Sequence, residues 1–155
     1  MAHRSNESPS ACVAAFPSAV MAWPVMMTAG LTLNALLEFR LGHLNSGNVA
    51  EYAIAFLVAM PLPFALVIAI VYTPLVLGVR VVSSGTASPL VFGVACIVAA
   101  PLAGLVLLVI GSVIWGPPRI PGYVEVVPTL LAMASGGLAF GLAFGRIDRR
   151  SRFSN

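Results

Sequence analysis

Lysine is absent from this chain of 155 residues, and charge of either sign is scarce, with eight arginines and five acids making up 8% of it. A soluble domain carries roughly 25% charged residues, so a chain this poor in charge cannot cover its own surface in water. Cysteine is nearly absent too. Cys12 and Cys96 sit in neither a CxxC nor a Cys/His spacing, which gives no zinc or dithiol motif, and Cys96 reads as small apolar filler. There is also no Gly-x-Ser-x-Gly elbow, no P-loop, no dinucleotide fingerprint and no HExxH helix. Those are the spacings that hold nucleophiles, phosphates and catalytic zinc, so no catalytic residue, cofactor or metal site is expected. An all-arginine basic set reads as GC-rich coding. The net charge of +3 and the pI near 9.4 therefore do not point to nucleic acid.

What the chain does have is apolar length. Hydrophobic residues make up 59% of it and the mean hydropathy is +1.00. Four stretches, about 20–39, 50–79, 89–115 and 123–144, are each long enough to cross a bilayer, whose hydrocarbon core is about 30 Å thick. The pattern predicts an all-α integral membrane protein, one domain over 1–155, with four helices kinked by prolines. Proline and glycine are both commoner in membrane helices than in soluble ones.

The N-terminal lead-in, 1–19, is interrupted by Pro17 and followed by Pro24, so an interfacial or bent approach is expected, with the spanning helix starting near Trp23. Glu7 in the leader, and the lack of an apolar run before Cys12, argue against a cleaved or lipidated signal. The second stretch would reach about 45 Å as a straight helix. It must tilt, kink or protrude, and Pro61, Pro63 and Pro74 supply the kink points. Ser88 before Pro89 reads as an N-cap with proline at the first helical position. Gly116 to Gly122, rich in proline, is a turn that cannot continue a helix.

Orientation follows from the arginines. With four spans, Arg4, Arg80, Arg146, Arg149, Arg150 and Arg152 share the side of the termini, and Arg40 and Arg119 take the other. Six against two places both termini in the cytoplasm, in a bacterial inner membrane. Tyr52, Trp115 and Tyr123 then fall at the outer interface. The arginine-rich tail, 145–155, suits anionic lipid headgroups.

The sharpest local pattern is a glycine zipper in the fourth span. Gly137, Gly141 and Gly145 recur every four residues and share one helical face, so another helix can approach closely. Cys96, Ala100 and Gly104 in the third span form a matching row, which makes packing within the chain the leading expectation and packing against another subunit or another copy the second. Ser135, Ala139 and Ala143 form a further row of small residues, with Phe140 and Phe144 on a different side.

Polar groups at depth are few. Thr32, Asn34, Tyr72 and Thr73 are expected to bond between helices or back to their own backbone. Glu38, Glu51 and Glu125 instead lie at the outer ends of three helices, with His43 in the loop between two of them. Glu51 and Glu125 each fall in a first turn, where the helix dipole favours a carboxylate, and Asn34 lies one turn before Glu38. These residues are either interfacial anchors paired with Arg40 and Arg119, or a cation or proton site on the outer face.

Three functions are compatible with this. The first is a non-catalytic accessory or assembly subunit that docks through helical faces to other membrane subunits, or self-associates. The second is a small homo-oligomeric transporter or channel with an acidic outer vestibule. The third and weakest is a lipid-directed enzyme using His43 with a glutamate. The first is the expected one.

Overall fold

A computed structural model of the chain describes residues 10–42, 45, 47–84, 86–115 and 123–153. Among them there is no strand. The helices are α1 (Ser10–Arg40), α2 (Val49–Ala59), α3 (Pro61–Val67), a π-helical turn (Ile68–Tyr72), α4 (Thr73–Val82), α5 (Pro89–Val98), α6 (Ala100–Trp115) and α7 (Tyr123–Phe153). Three continuous runs, Val13–Arg40, Val49–Val82 and Val126–Ser151, are long and apolar enough to cross a membrane. A fourth is added if α5 and α6, bent by 41°, count as one span.

The lead-in differs from expectation. It is helical from Ser10 and continuous with the span, passing through both Pro17 and Pro24. Each proline removes one amide donor, and neighbouring helices and hydroxyls can compensate. Ser18 Oγ, buried beside this stretch, donates to the Ala14 carbonyl at 2.6 Å. At its far end α1 stops at Gly42, whose φ of +76° is the left-handed conformation that terminates helices.

The second run is helical throughout except at Met60. Pro61 and Pro63 end α2 at Ala59, and a π-helical turn lies just before Pro74. Thr73 N–H bonds back to the Ile68 carbonyl, the five-residue step of a π turn. The bend between α5 and α6 sits at Ala99, two residues before Pro101, which cannot supply an amide to Ile97. Ser88 does occupy the N-cap position ahead of Pro89, although its side chain makes no capping bond. The arginine-rich tail is no loose end, since α7 stays helical to Phe153.

Helix α7 is the hub. It packs most extensively along α1, then α5, then α6 and the π turn. The contacts run antiparallel, for Met26 meets Gly136 while Leu36 and Arg40 share a groove with Val127 and Leu131. One end of the molecule therefore gathers Arg80, Arg146, Arg149 and Arg150, and the other gathers the helix ends that carry Glu38, Glu51 and Glu125. We call these the basic and the acidic end.

Candidate functional site

Two glycine faces let α7 serve as hub. A Cβ on Gly141 would fall on the Phe92 carbonyl and 2.6 Å from Gly93 N, and one on Gly145 would lie 2.6 Å from Pro89 Cα. One on Gly137 would lie 3.0 Å from the Cys96 carbonyl oxygen. These three glycines thus face α5 backbone to backbone. Of the row expected to match them, Cys96 lies opposite Gly137, and Gly104 lies further along, where its missing side chain leaves room for Leu130. Ala100 is buried between those two positions.

The other face was not foreseen. Gly136 receives the Met26 side chain from α1, where Ala14, Ser18, Ala22 and Met26 are buried at a spacing of four. That row of small α1 residues was the available signal.

Aromatic rings fill the space beside the glycine face. Phe140 and Phe144 are fully buried. Phe144 meets Phe92 edge to face at 5.4 Å between centroids, and Phe140 lies 6.2 Å from Tyr72, within the range of favourable ring pairs. Tyr72, at the end of the π turn, donates its hydroxyl to the Met133 carbonyl at 2.6 Å. Its ring sits 3.1 Å from where a Gly137 Cβ would be. The same glycine therefore admits both α5 and the Tyr72 ring.

The basic end closes with an ion pair that sequence reasoning missed. Arg80 Nε lies 3.2 Å from Asp148 Oδ1, joining α4 to α7 where their side chains are 18% and 5% exposed. Asp148 is flanked by Arg146, Arg149 and Arg150, all exposed. An acid turned inward among arginines turned outward is the trace it leaves in the sequence.

The acidic end is open. A pocket of about 280 Å³ lies between α1, α2 and α7 at the α2–α3 break, lined by Gly30, Asn34, Ala59, Met60 and Thr129 among others. Asn34 does not reach for Glu38. Its Nδ2 donates to the Gly30 carbonyl at 2.9 Å, the backbone return that was one expectation for it. Glu38 is half-buried in the last turns of α1, and Glu51 is exposed in the first turn of α2. Glu125 occupies the first turn of α7, although its side chain, like those of Tyr52, Trp115 and Tyr123, lies outside the described residues. His43 and Arg119 also lie outside them. Among the described residues no group of three or more His, Cys, Asp or Glu is close enough to hold a metal ion. A second, mostly apolar groove of about 560 Å³ runs between α1 and the π turn, past Phe16, Trp23 and Thr73.

Helices long and apolar enough to cross a membrane, packed around one glycine-faced helix and closed by charge at one end, suggest a helical membrane protein. No protein-family model, characterised protein or solved structure matches the chain.

Proposed function

We propose that the chain is a four-span membrane protein of a bacterial inner membrane, with both termini cytoplasmic, which works as a non-catalytic subunit docking to the helices of other membrane subunits. The observation that carries this reading is the state of α2. None of its described side chains is buried, and Ala50, Ala55 and Ala59 are exposed. It touches α1 and α3 only lightly. Small side chains on an uncovered helix permit the close approach by which membrane helices associate. The glycine zipper is consumed inside the chain, so docking falls to α2 and to the exposed face of α6 at Leu105, Val109 and Val113. The exposed Arg146, Arg149 and Arg150 sit on a helical extension, a geometry suited to anionic headgroups at the cytoplasmic surface.

A second reading, a small homo-oligomeric transporter with an acidic outer vestibule, draws on a different observation, the pocket at the acidic end. Native mass spectrometry of tagged protein, released gently from its own membrane, separates the two. A stoichiometric foreign subunit supports docking. A pure homo-oligomer or a monomer removes that reading and turns attention to solute flux in Glu38→Gln and Glu51→Gln variants.

A further inference from the structure

Helix α7 meets its bundle on three sides. Gly136 admits Met26 of α1, Gly141 and Gly145 lie against α5, and Phe140 and Phe144 turn inward among buried rings. One residue turns a helix by 100°, so Ser135, Ala139 and Leu142 stack on the remaining side, opposite the two rings. All three are half-buried, and Leu131, further along the stack, is 50% exposed. They form an apolar strip that faces outward between α1 and α5. Its hydroxyl is already satisfied, because Ser135 Oγ donates to the Ala132 carbonyl at 2.8 Å.

The same register runs into the arginines. Steps of four and three from Ser135 pass through Ala139 and Leu142, and two further steps of four reach Arg146 and Arg150, with Arg149 beside them. These arginines are exposed. Asp148 lies on the opposite side of the helix from Arg146 and Arg150, where it is 5% exposed and engaged by Arg80. Positive charge therefore faces outward above the strip, and the acid faces the bundle.

Depth agrees with register. A hydrocarbon core about 30 Å thick takes roughly twenty helical residues, so a span entering at Val126 leaves near Gly145. Arg146 stands at that boundary. Arg149 and Arg150 stand about one turn further out, in the helical stretch that runs to Phe153.

We infer that this side of α7 seats one anionic phospholipid, its phosphate on Arg146 and Arg150 and one acyl chain along Leu142, Ala139 and Ser135. Charge complementarity selects the headgroup, since an arginine fork grips phosphate through paired N–H donors. A zwitterionic lipid brings its own cation beside the phosphate, and the arginines repel it. The strip adds what a basic tail alone lacks, a fixed place for the chain beneath the charge. The inference rests on the tail's contact with anionic headgroups proposed above, and narrows it from diffuse attraction to one lipid. Docking through α2 uses a different face of the bundle.

The test is native mass spectrometry of the full-length protein from micelles doped with phosphatidylglycerol, or with phosphatidylcholine of the same chains. Phosphatidylglycerol is expected to saturate at one retained molecule and to bind at least about tenfold more tightly, given about fivefold per arginine near the surface. Arg146→Gln with Arg150→Gln should abolish that preference. Arg40→Gln, at an exposed arginine of the acidic end, should leave it unchanged. Ala139→Leu fills the strip without changing charge and should lower phosphatidylglycerol occupancy. If that variant does not fold, Ser135→Leu takes its place, and if neither folds, saturation at one copy decides. Phosphatidylglycerol that adds in several copies without saturating would overturn the single seat, while its dependence on the arginines would keep the tail contact. Binding indifferent to the strip variants would overturn the seat in the same way. Equal affinity for the two lipids would remove the seat and the tail contact together.

Discussion

The two ends of this bundle are packed in opposite ways. At the basic end, α1, α4, α5 and α7 meet through glycine notches, interlocked rings and the Arg80–Asp148 pair. At the acidic end, α2 buries no described side chain, and a pocket opens between α1 and α7. The difference comes from backbone proximity. Where α7 offers glycine to α5, dispersion is collected over whole backbones, and that is the main attraction between helices that lipid solvates as well as they solvate each other. Past Ala99 the bend of 41° turns α6 away, and its contact with α7 is less extensive than that of α5, while α2 touches its neighbours only lightly. Close packing in one half can thus stand beside an open half in the same bundle.

Gly141→Ala breaks this contrast most severely. Its new methyl would strike the Phe92–Gly93 backbone, which cannot rotate aside as a side chain can. A loss of about 3 kcal/mol, the upper end for overpacking, is expected in reversible unfolding in mixed micelles. The matched control is Gly78→Ala, where the added Cβ meets nothing within 4 Å. That change should be neutral, or stabilising by up to about 1 kcal/mol through helix propensity.

Comparable in size is the ion pair, where the expected effects are unequal. Arg80→Ala takes the opposite charge from a nearly buried carboxylate, and removing one partner of a buried pair costs about 3 kcal/mol or more. Asp148→Ala leaves a longer side chain that is 18% exposed and can extend its guanidinium toward water, so the cost should be smaller. The double variant should be more stable than Arg80→Ala alone. If the two single variants prove equally harmful, the pair is not what closes the basic end.

Smaller again is Tyr72→Phe. It keeps the ring against Phe140 and Gly137 but loses the 2.6 Å bond to the Met133 carbonyl, worth about 1 kcal/mol.

These effects also mark what could be read from the chain alone. The glycine row at 137, 141 and 145 stands out because its period and the helix period agree, and the apolar runs stand out by length. Tyr72 was noticed only as a polar group at depth. The π turn before it adds a residue to one helical turn, so the face it occupies cannot be found by counting in steps of 3.6. Asp148 pairs with a residue on a distant helix, Arg80 of α4, and no local pattern encodes such a pairing. Gly136 is adjacent to the zipper in sequence, but one residue turns a helix by 100° and so presents it to α1 instead. Pro61 and Pro63 were legible as a kink. That α1 and α7 would set Asn34 and Thr129 beside that kink depends on how three helices come together, which tertiary packing decides.

The smallest expected effect bears most directly on the open half. Val58 in α2 is 76% exposed, so Val58→Trp meets no neighbour in the isolated chain and should shift stability by less than about 0.5 kcal/mol. If α2 is a docking face, the same substitution places a large ring where a partner helix must approach. The foreign subunit should then be lost from the native mass spectrum while the purified chain unfolds as before. A Val58→Trp variant that is itself destabilised would show instead that α2 packs against its own bundle, and the contrast between the two halves would disappear. A variant that retains both its stability and its partner would move docking from α2 to the exposed face of α6, where Val113→Trp repeats the test.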